Sequence, residues 1–501
     1  MRLIRFPAIL GLAALLSLPA ALAGDAVDIG SRRELFVDHL LIDRLVGASL
    51  RLGTPLPGGV AIRFDDPVED STAFYTTIFK DGDVYRMYYR GALFERKTTC
   101  YAESRDGIHW TKPDLGLVSV DGSSQNHVIL PEARQFVAFL DRRPGVPASE
   151  RYKGVSRGPV DPHALVGFLS GDGIRWRRLR DEPIVPKVLI NHFDSQNVAF
   201  WSEAEEQYVV YARHMEGGRR ATARSTSNDF INWTPQVLMT YGDTGTTTPS
   251  HHLYTNQTQP YFRAPHIYIS LPARIIFADP RHVKTDDDKQ LASQRQRIIS
   301  PELRDFVKEN MPLMGTAGTG DHSDAVLLTT RAGSTVYDFT FRESFVRPGI
   351  GVNNWTTRTN YPACGIVPTG EGEMSFYMQR NYGQKGAAYL ERMTLRLDGF
   401  ASLNAPYDGG EMLTKPLRFK GSRLEINYAT SAAGSIRIEM QDPEGQPIPG
   451  FTLADCPEII GDQIERTVAW KGGSDLSSLS GKAVRMRVVL KDADLYSIRF
   501  H

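Results

Sequence analysis

The chain has 501 residues, which is too long for one ordinary domain, and its 41% hydrophobic and 23% charged residues are the balance of a soluble globular protein. Lys+Arg and Asp+Glu are equal at 58 each, so no basic field would attract nucleic acid, and a neutral ligand is easier to accommodate than a polyanion. The three cysteines, Cys100, Cys364 and Cys456, fit neither a disulfide framework nor a zinc site. No motif for a metal or a cofactor is present, so we expect neither.

The N-terminus has the pattern of an export signal. Two arginines flank the start of a mostly apolar run, Phe6–Leu18, and Ala21–Ala23 supplies the small side chains of a signal-peptidase site. The run is too short for a permanent membrane helix, and no later stretch is apolar enough to cross a bilayer. We therefore expect residues 1–23 to be removed and the mature protein to be exported, periplasmic or secreted, without a membrane span.

A short turn motif recurs along the chain. Its copies are Ser104–Trp110, Ser170–Trp176, the looser Ser227–Trp233, and fragments at Thr330–Tyr337 and Leu397–Phe400. In the close copies Asp bonds its own backbone and Gly accepts positive φ, which makes a tight turn, and the aromatic residue then packs between neighbouring units. The wide gap before the fourth copy indicates an insertion, for which the polar stretch Thr285–Asn310 is the candidate.

Alternating β-branched and aromatic runs upstream of the turns predict strands. They are Thr72–Phe79, Val84–Arg90 and Thr98–Ser104 in the first unit, and Asn197–Ser202, Tyr208–Arg213 and Ala221–Ser225 in the third. Three strands, a turn and a tryptophan-led fourth strand are typical of a propeller blade, and radial closure removes exposed sheet edges. The sequence therefore predicts an all-β fold with a five-bladed β-propeller over residues 64–405, on which an N-terminal segment, residues 24–63, packs.

Residues 406–501 lack the blade turn. Their alternating runs, separated by Pro-rich and Gly-rich turns, are Leu424–Tyr428, Ser435–Gln441, Glu465–Trp470 and Val484–Leu490. We expect a C-terminal β-sandwich that braces the propeller, because its aromatic residues lie in patterns that suit core packing.

The first strand of a propeller blade begins beside the central channel, so the residues that precede it are candidates for a ligand site. Arginines that end second strands can face the same site. Amides and arginines bind sugar hydroxyls, and aromatic rings stack on the sugar. The sequence therefore predicts a carbohydrate partner, and the candidate substrate-binding residues are Arg90, Gln135, Asn197, Arg213, Tyr254, Arg263, His266, Arg358 and Asn360.

Glycoside hydrolysis requires two carboxyl groups on either side of the scissile bond. Glu69, before the first blade, and Asp194, before the third, are the candidate pair, and the sequence does not assign the acid and the base between them. Rivals to Glu69 in the same cluster are Asp65, Asp66 and Asp70. Asp141 is a third catalytic candidate, although its place at the far end of a strand is more typical of a hairpin turn.

Several segments of the sequence resemble secreted bacterial five-bladed β-propeller proteins related to glycoside hydrolase families 32 and 43. This group of proteins has a C-terminal β-sandwich and is abundant in planctomycetes and marine polysaccharide degraders. The segments are Arg33–Asp38, Tyr85–Gly91, Phe193–Trp201, Pro260–Tyr268 and Lys491–Tyr496. The resemblance implies a carbohydrate-active enzyme with an acid at the start of the inner strand in blades one, two and three. Blade two departs from this pattern, because Gln135 stands where its acid is expected.

The leading hypothesis is therefore an exported glycoside hydrolase acting on a poly- or oligosaccharide. One alternative is a non-catalytic glycan-binding protein, which would have the same polar mouth without paired acids at working distance. A second is a polysaccharide lyase, with His266 or Tyr254 as the base and Arg263 neutralising the carboxylate of an acidic sugar.

Overall fold

The structure is a computed structural model that describes residues 26–93, 98–131, 133, 135–158, 164–185, 193–216, 218–242, 251–277, 289, 300–314, 318–319 and 321–501. The predicted signal peptide lies outside the described residues. Among those residues, strands dominate, and none of the helices combines the length and the apolar character needed to cross a membrane.

The N-terminal segment contributes to two different parts of the molecule. Its strands are β1 (Val27–Gly30), β2 (Arg33–Leu35), β3 (Ile42–Val46), β4 (Ser49–Leu52) and β5 (Leu56–Phe64). Strands β1 to β4 pair with strands that follow residue 400, whereas β5 pairs with the last propeller sheet. The segment that we expected to pack on the propeller thus supplies strands to three sheets, one of which is the last propeller sheet.

Three four-stranded antiparallel sheets follow in chain order. Their strands are β6 (Phe74–Asp81), β7 (Val84–Arg90), β8 (Thr99–Ser104) and β9 (Val128–Leu130); β10 (Val137–Leu140), β11 (Tyr152–Arg157), β12 (Leu165–Ser170) and β13 (Arg177–Arg178); and β14 (Val198–Ser202), β15 (Gln207–Glu216), β16 (Arg219–Ser227) and β17 (Val237–Leu238). In each sheet the neighbours in sequence are neighbours in space, which is the order of a propeller blade. The strands predicted for the first and third units have nearly the bounds observed.

The fourth sheet is interrupted by an insertion. The elements of this region are β18 (Thr240–Tyr241), β19 (His252–Leu253), β20 (Gln259–Tyr261), β21 (Ala264–Ser270), β22 (Ala273–Phe277), α1 (Pro301–Asn310), β23 (Asp321–Ala325), β24 (Leu328–Arg331) and β25 (Val336–Tyr337). Strands β20, β21 and β24 form the sheet, while β19, β22 and β23 form a separate small one. Helix α1 lies within the stretch predicted to be inserted, and the Ser300 side chain caps it by accepting from the Leu303 amide.

The fifth sheet closes the ring. Its strands are β26 (Tyr361–Pro362), β27 (Val367–Pro368), β28 (Glu373–Arg380) and β29 (Ala388–Arg396), with β5 as the outer strand. The innermost strands contact one another in sequence, from β6 to β10, β14 and β20, and β27 contacts β6. The Ile78 amide donates to the Cys364 carbonyl at 2.7 Å, joining the first sheet to the last. The prediction of an all-β propeller is therefore confirmed.

The recurring turns join neighbouring sheets. Ser170 Oγ accepts from the Gly173 amide at 2.9 Å, and Asp172 Oδ1 accepts from two further amides, which is the tight turn that the sequence predicts. Tyr88, in the preceding sheet, donates its hydroxyl to the Gly173 carbonyl at 2.8 Å. Trp176 packs edge-on against Tyr88 with ring centroids 6.0 Å apart. The repeat thus fixes both the turn within a blade and the contact between blades.

The strands after residue 400 form a second all-β unit. They are β30 (Ala401–Ala405), β31 (Gly410–Thr414), β32 (Leu417–Phe419), β33 (Leu424–Gln441), β34 (Asp462–Thr467) and β35 (Arg485–Phe500), and three short 3-10 helices among the described residues are Ala148–Glu150, Val352–Trp355 and Ser477–Leu479. The long strands β33 and β35 pair along nearly their whole length, with a register shift between Thr430 and Ser435. Apolar side chains from β1, β3 and these strands share one core.

Candidate active site at the channel mouth

Polar side chains converge where the first strands begin and the second strands end. Both points lie on the same face of the ring, because adjacent strands of a blade are antiparallel. Arg90, Arg157 and Arg213 lie at or near the ends of β7, β11 and β15, and Asp194 precedes β14. We call this face the channel mouth and define it by Tyr75, Arg90, Gln135, Arg157, Asp194, Arg213, Arg220, Tyr254, Asp321, Arg358, Tyr361 and Tyr382.

Asp194 is held in place by three donors. Arg157 donates to its Oδ1 at 2.7 Å, Gln135 Nε2 to the same oxygen at 3.1 Å, and Arg213 lies 3.4 Å from Oδ2. Burial would raise the pKa of this carboxyl, but the arginines and the amide outweigh it and hold the pKa below its ordinary value. The side chain is nevertheless 43% exposed. Asp194 is therefore an ionised, fixed carboxylate that a ligand can reach.

Tyrosines connect the arginines of the mouth. The Tyr75 hydroxyl lies 3.1 Å from that of Tyr254, and Arg90 lies over the Tyr75 ring with its guanidinium carbon 5.0 Å from the centroid. Arg213 and Arg220 lie over the Tyr254 ring at 5.8 Å and 5.0 Å. Such contacts orient the guanidinium groups without neutralising them.

The backbone is strained at two mouth residues, Tyr75 and Arg358, and at two residues close to mouth residues in sequence, Phe193 and Asn360. Tyr75, Phe193, Arg358 and Asn360 have φ of 58°, 63°, 54° and 72°, values that side chains other than glycine seldom adopt. The register of β6 with β7 shifts between Phe74 and Thr77, so that Tyr75 is part of a bulge. Strain of this kind persists only where the surrounding structure forces it.

Three buried side-chain oxygens of the mouth have no hydrogen-bond partner among the described residues. They are Gln135 Oε1, Asp321 Oδ1 and the Tyr361 hydroxyl, in residues that are at most 8% exposed. Burying a polar group without a partner is costly, so such atoms are expected to bind water or ligand hydroxyls. Tyr254 packs on Tyr361 with ring centroids 5.3 Å apart, which places the Tyr361 hydroxyl beside the residues around Asp194.

The mouth includes residues that we did not expect from the sequence, namely Tyr75, Arg157, Arg220, Asp321 and Tyr382. The position of Arg157 could have been predicted, because Arg157 ends the second strand of its sheet as Arg90 does. We did not predict that strand from the sequence, so the match was not apparent. No sequence pattern indicates Asp321 or Arg220. Asp321 reaches the mouth from the small sheet of the insertion, and Arg220 reaches it from the extended hairpin of β15 and β16.

Glu69 does not face the mouth, contrary to our expectation. Its side chain is fully buried, and its oxygens accept from Tyr89 at 2.5 Å, His127 at 3.0 Å and Lys112 at 2.7 Å. Burial alone would raise the pKa of the Glu69 carboxyl. The contacts with His127 and Lys112 outweigh burial and hold the pKa below its ordinary value. A carboxylate that is saturated with donors and closed to solvent braces the fold, so the structure does not support it as an acid or a base.

Asp141 is also structural. Its side chain is fully buried, and Lys153 and Tyr208 both donate to Oδ2 at 2.6 Å. It follows the end of β10, so it lies on the ring face opposite the mouth, as its hairpin position suggested.

Arg263 and His266 lie away from the mouth for a related reason. Strand β20 has only three residues, so Arg263 falls in the hairpin at its far end and not before it. Arg263 pairs with Asp398 at 3.0 Å, and His266 Nε2 lies 2.9 Å from Glu34 Oε1. Both therefore join the propeller to other parts of the chain, and neither can serve as a lyase residue in the way we considered.

Asn197 and Asn360 shape the mouth without facing a ligand. The Asn197 amide donates to the carbonyls of Phe193 and Ser195, and its oxygen accepts from the Arg213 amide. The Asn360 amide donates to the carbonyls of Ser323 and Asn354. Their hydrogen bonds hold the loops that carry Asp194 and Arg358.

The comparisons with known proteins are distant. No protein-family profile matches the chain. An uncharacterized protein of Mycobacterium tuberculosis (strain ATCC 25618 / H37Rv) is 28% identical over 164 residues, which are 30% of this chain. The chain spans about half the length of that curated relative, 49%.

Solved structures with a similar chain path are described as glycoside hydrolases. One described as a glycoside hydrolase has a TM-score of 0.42 at 11% identity and covers 68% of this chain and 92% of its own. A thermostable family-43 glycoside hydrolase has a TM-score of 0.39 at 10% identity and covers 68% and 96%. A fructofuranosidase from Schwanniomyces occidentalis has a TM-score of 0.38 at 11% identity and covers 88% and 96%. Values this low do not identify the reaction of this chain.

Proposed function

We propose that the protein is an exported glycosidase that hydrolyses a glycosidic bond at the channel mouth, with Asp194 as the ionised carboxylate. The observation that carries the proposal is the state of Asp194, which is fixed by three donors and still 43% exposed. A carboxylate in this state can attack the anomeric carbon or stabilise the positive charge that develops there.

Asp321 is our candidate for the second carboxyl group, in place of Glu69. It is 8% exposed, and its Oδ1 has no hydrogen-bond partner among the described residues. It begins β23, which contacts β26 and hence Tyr361 at the mouth. In the hydrolysis that we propose, Asp321 donates a proton to the leaving oxygen while Asp194 acts on the other side of the sugar.

The remaining mouth residues are suited to binding a sugar. Gln135 Oε1 and the Tyr361 hydroxyl offer unused hydrogen-bonding groups to sugar hydroxyls. Trp355, which precedes the fifth sheet, is 41% exposed and packs near His322 with ring centroids 6.2 Å apart. Trp355 thus offers an exposed aromatic face, beside His322, on which the apolar side of a sugar ring can stack.

A polysaccharide lyase is the second candidate, and one observation favours it. The Tyr75 and Tyr254 hydroxyls lie 3.1 Å apart beneath Arg90, Arg213 and Arg220. In a lyase, Tyr254 would be the base that removes the proton beside a uronate carboxylate, and the arginines would neutralise that carboxylate. The lyase breaks the bond by elimination and leaves an unsaturated sugar, whereas the hydrolase consumes water and leaves a saturated one.

The test is a screen of plant and algal glycans with two parallel readouts, new reducing ends and the ultraviolet absorbance of unsaturated products. We expect reducing ends without unsaturation, lost in Asp194→Asn and in Asp321→Asn. Asp114→Asn is the matched control, because Asp114 is exposed and distant in sequence from every mouth residue. Unsaturated products would establish the lyase, and glycan binding without any turnover would establish a binding protein.

Export is part of the proposal and rests on residues 1–23 alone. Expression of the full chain with its own N-terminus in a bacterial host should yield a mature protein that begins at Gly24, as read by N-terminal sequencing. A cytoplasmic protein that retains Met1 would contradict it.

A further inference from the structure

Two arginines of the channel mouth share one neutral partner. Arg358 donates to the Tyr382 hydroxyl at 3.1 Å, and Arg90 lies 3.4 Å from the same oxygen. Tyr382 is fully buried, and Arg90 is 5% exposed. Two guanidinium groups are therefore held close together on one phenol, and their like charges repel each other.

Neither arginine has a carboxylate within ion-pair distance among the described residues. Arg90 also donates to the Thr72 carbonyl, at 2.9 Å, and lies over the rings of Phe74 and Tyr75. Arg90 Nε is buried without a hydrogen bond. Asp194 is nearby, but it is bound to Arg157 and Arg213.

Other buried arginines of this protein are neutralised. Arg33 pairs with Glu425 and lies 3.6 Å from Asp398, Arg213 lies 3.4 Å from Asp194, and Arg380 pairs with Glu391 at 2.8 Å. Arg380 ends β28 as Arg90 ends β7, so the same architectural position carries a compensated charge in the fifth sheet and an uncompensated one in the first. The fold therefore does not require a bare guanidinium at this position.

Tyr75, beneath Arg90, does not supply a negative charge. Burial raises the pKa of Tyr75 well above its ordinary value, and the neighbouring Tyr254 and Asp194 add to that rise. Tyr75 thus remains a neutral phenol at any physiological pH and can only donate or accept a hydrogen bond.

We infer that Arg90 and Arg358 bind an oxyanion group, a sulfate ester or a carboxylate, carried by the sugar on which Asp194 acts. This inference rests on the glycosidase function proposed above. Guanidinium groups match the geometry of such oxygens, and the Tyr382 hydroxyl between them holds the two forks in place before the ligand arrives. The sugar would then lie with its charged substituent at the first and fifth sheets and its anomeric carbon towards Asp194 in the third.

The test compares each charged oligosaccharide with its own uncharged counterpart. The probes are a sulfated galactan oligosaccharide with its desulfated form, and a galacturonan oligosaccharide with its carboxyl-reduced form. The two pairs separate a sulfate ester from a carboxylate as the source of the oxyanion. We expect the wild-type protein to have the higher kcat/KM on the charged member of one pair.

The variants are Arg358→Gln, which removes the charge, and Arg358→Lys, which keeps it. Arg105→Gln is the control, since Arg105 is exposed in the first turn motif. In Arg358→Gln the ratio of kcat/KM between charged and uncharged substrate should fall about 10- to 100-fold. Arg358→Lys should restore part of the ratio, and Arg105→Gln should not change it. Circular dichroism of each variant shows whether it is folded, and Arg90→Gln provides a second, independent removal of charge.

A binding experiment distinguishes failure of the oxyanion site from failure of the proposed glycosidase function. Calorimetry measures the binding of inorganic sulfate and of inorganic phosphate to the wild-type protein and to Arg358→Gln. Sulfate binding that requires Arg358, with no turnover of any glycan, would leave the oxyanion site standing and refute the glycosidase. Turnover that requires Asp194, with a ratio unaffected by Arg358→Gln and Arg90→Gln, would refute the oxyanion site alone. Turnover that requires added phosphate would show that free phosphate occupies the site, and would refute binding of a charged substituent of the sugar. If the protein shows no turnover and no sulfate binding, both proposals are refuted.

Discussion

Replacing Glu69 by glutamine separates a structural carboxylate from a catalytic one. The wild-type side chain is fully buried and accepts from Lys112 at 2.7 Å and from His127 at 3.0 Å. Removing one partner of a buried ion pair costs about 3–5 kcal/mol. Lys112 keeps 16% exposure and lies 3.4 Å from Asp65, so its charge stays partly compensated. We therefore expect Glu69→Gln to lower the free energy of unfolding of the propeller by about 2–4 kcal/mol.

The pH dependence of this contribution follows from the lowered pKa of Glu69. Because the pKa is lower in the folded protein than the ordinary value of 4.5, the carboxylate stabilises the fold fully above that value. The contribution is lost as the pH falls through the lowered pKa, so wild type and Glu69→Gln should converge in stability in acid.

The assay is denaturant unfolding, together with glycan turnover per folded molecule under native conditions. Glu444→Gln is the control, because Glu444 is exposed, and it should change stability by no more than about 0.5 kcal/mol. Turnover by folded Glu69→Gln should stay close to wild type. A variant of unchanged stability that has lost turnover would show that Glu69 is catalytic and that the structural assignment is wrong.

Three other perturbations test the inter-blade contact, the charge of the mouth and the sugar platform. Tyr88→Phe removes the hydroxyl that donates to the Gly173 carbonyl and should cost about 1 kcal/mol in thermal unfolding; no change would mean that the turn is held within its own blade. Arg157→Gln should move the acid limb of kcat/KM to higher pH, because Arg157 lowers the pKa of Asp194; an unmoved limb would assign it to another group. Trp355→Ala should raise KM with little change in kcat, and an unchanged KM would exclude stacking on this ring.

Local patterns were enough to predict the blades. The turn at Asp172 and Gly173 is made by hydrogen bonds between residues two and three apart, which are visible in sequence. Strand alternation gave the bounds of the first and third sheets because each strand pairs with its neighbours in the chain. Pairing of β1 to β4 with strands after residue 400 was not predictable, since no local pattern specifies a partner so far away.

The mouth was predicted only in part, and strand length explains the errors. Asp194, Arg213, Tyr254 and Arg358 lie where the blade pattern put them, because their strands begin and end near the expected residues. Arg263 was wrong because β20 is three residues long, a length that the sequence does not show. The position of Glu69 was not predictable, because the acidic residues of a loop before a strand can point into the fold or towards the channel. The hydrogen-bond donors around Glu69 determine its direction, and these donors come from distant parts of the sequence.

The role of Asp194 is tested most directly by chemical rescue of Asp194→Gly on a glycan that the wild-type protein cleaves. If Asp194 is the reactive carboxylate, the variant should lose about 10²–10⁴ of kcat. Added azide should then restore part of the turnover by occupying the space of the carboxylate, and a glycosyl azide should appear as a product. Near wild-type turnover by folded Asp194→Gly, or a loss of turnover that azide does not relieve and that yields no glycosyl azide, would contradict the assignment.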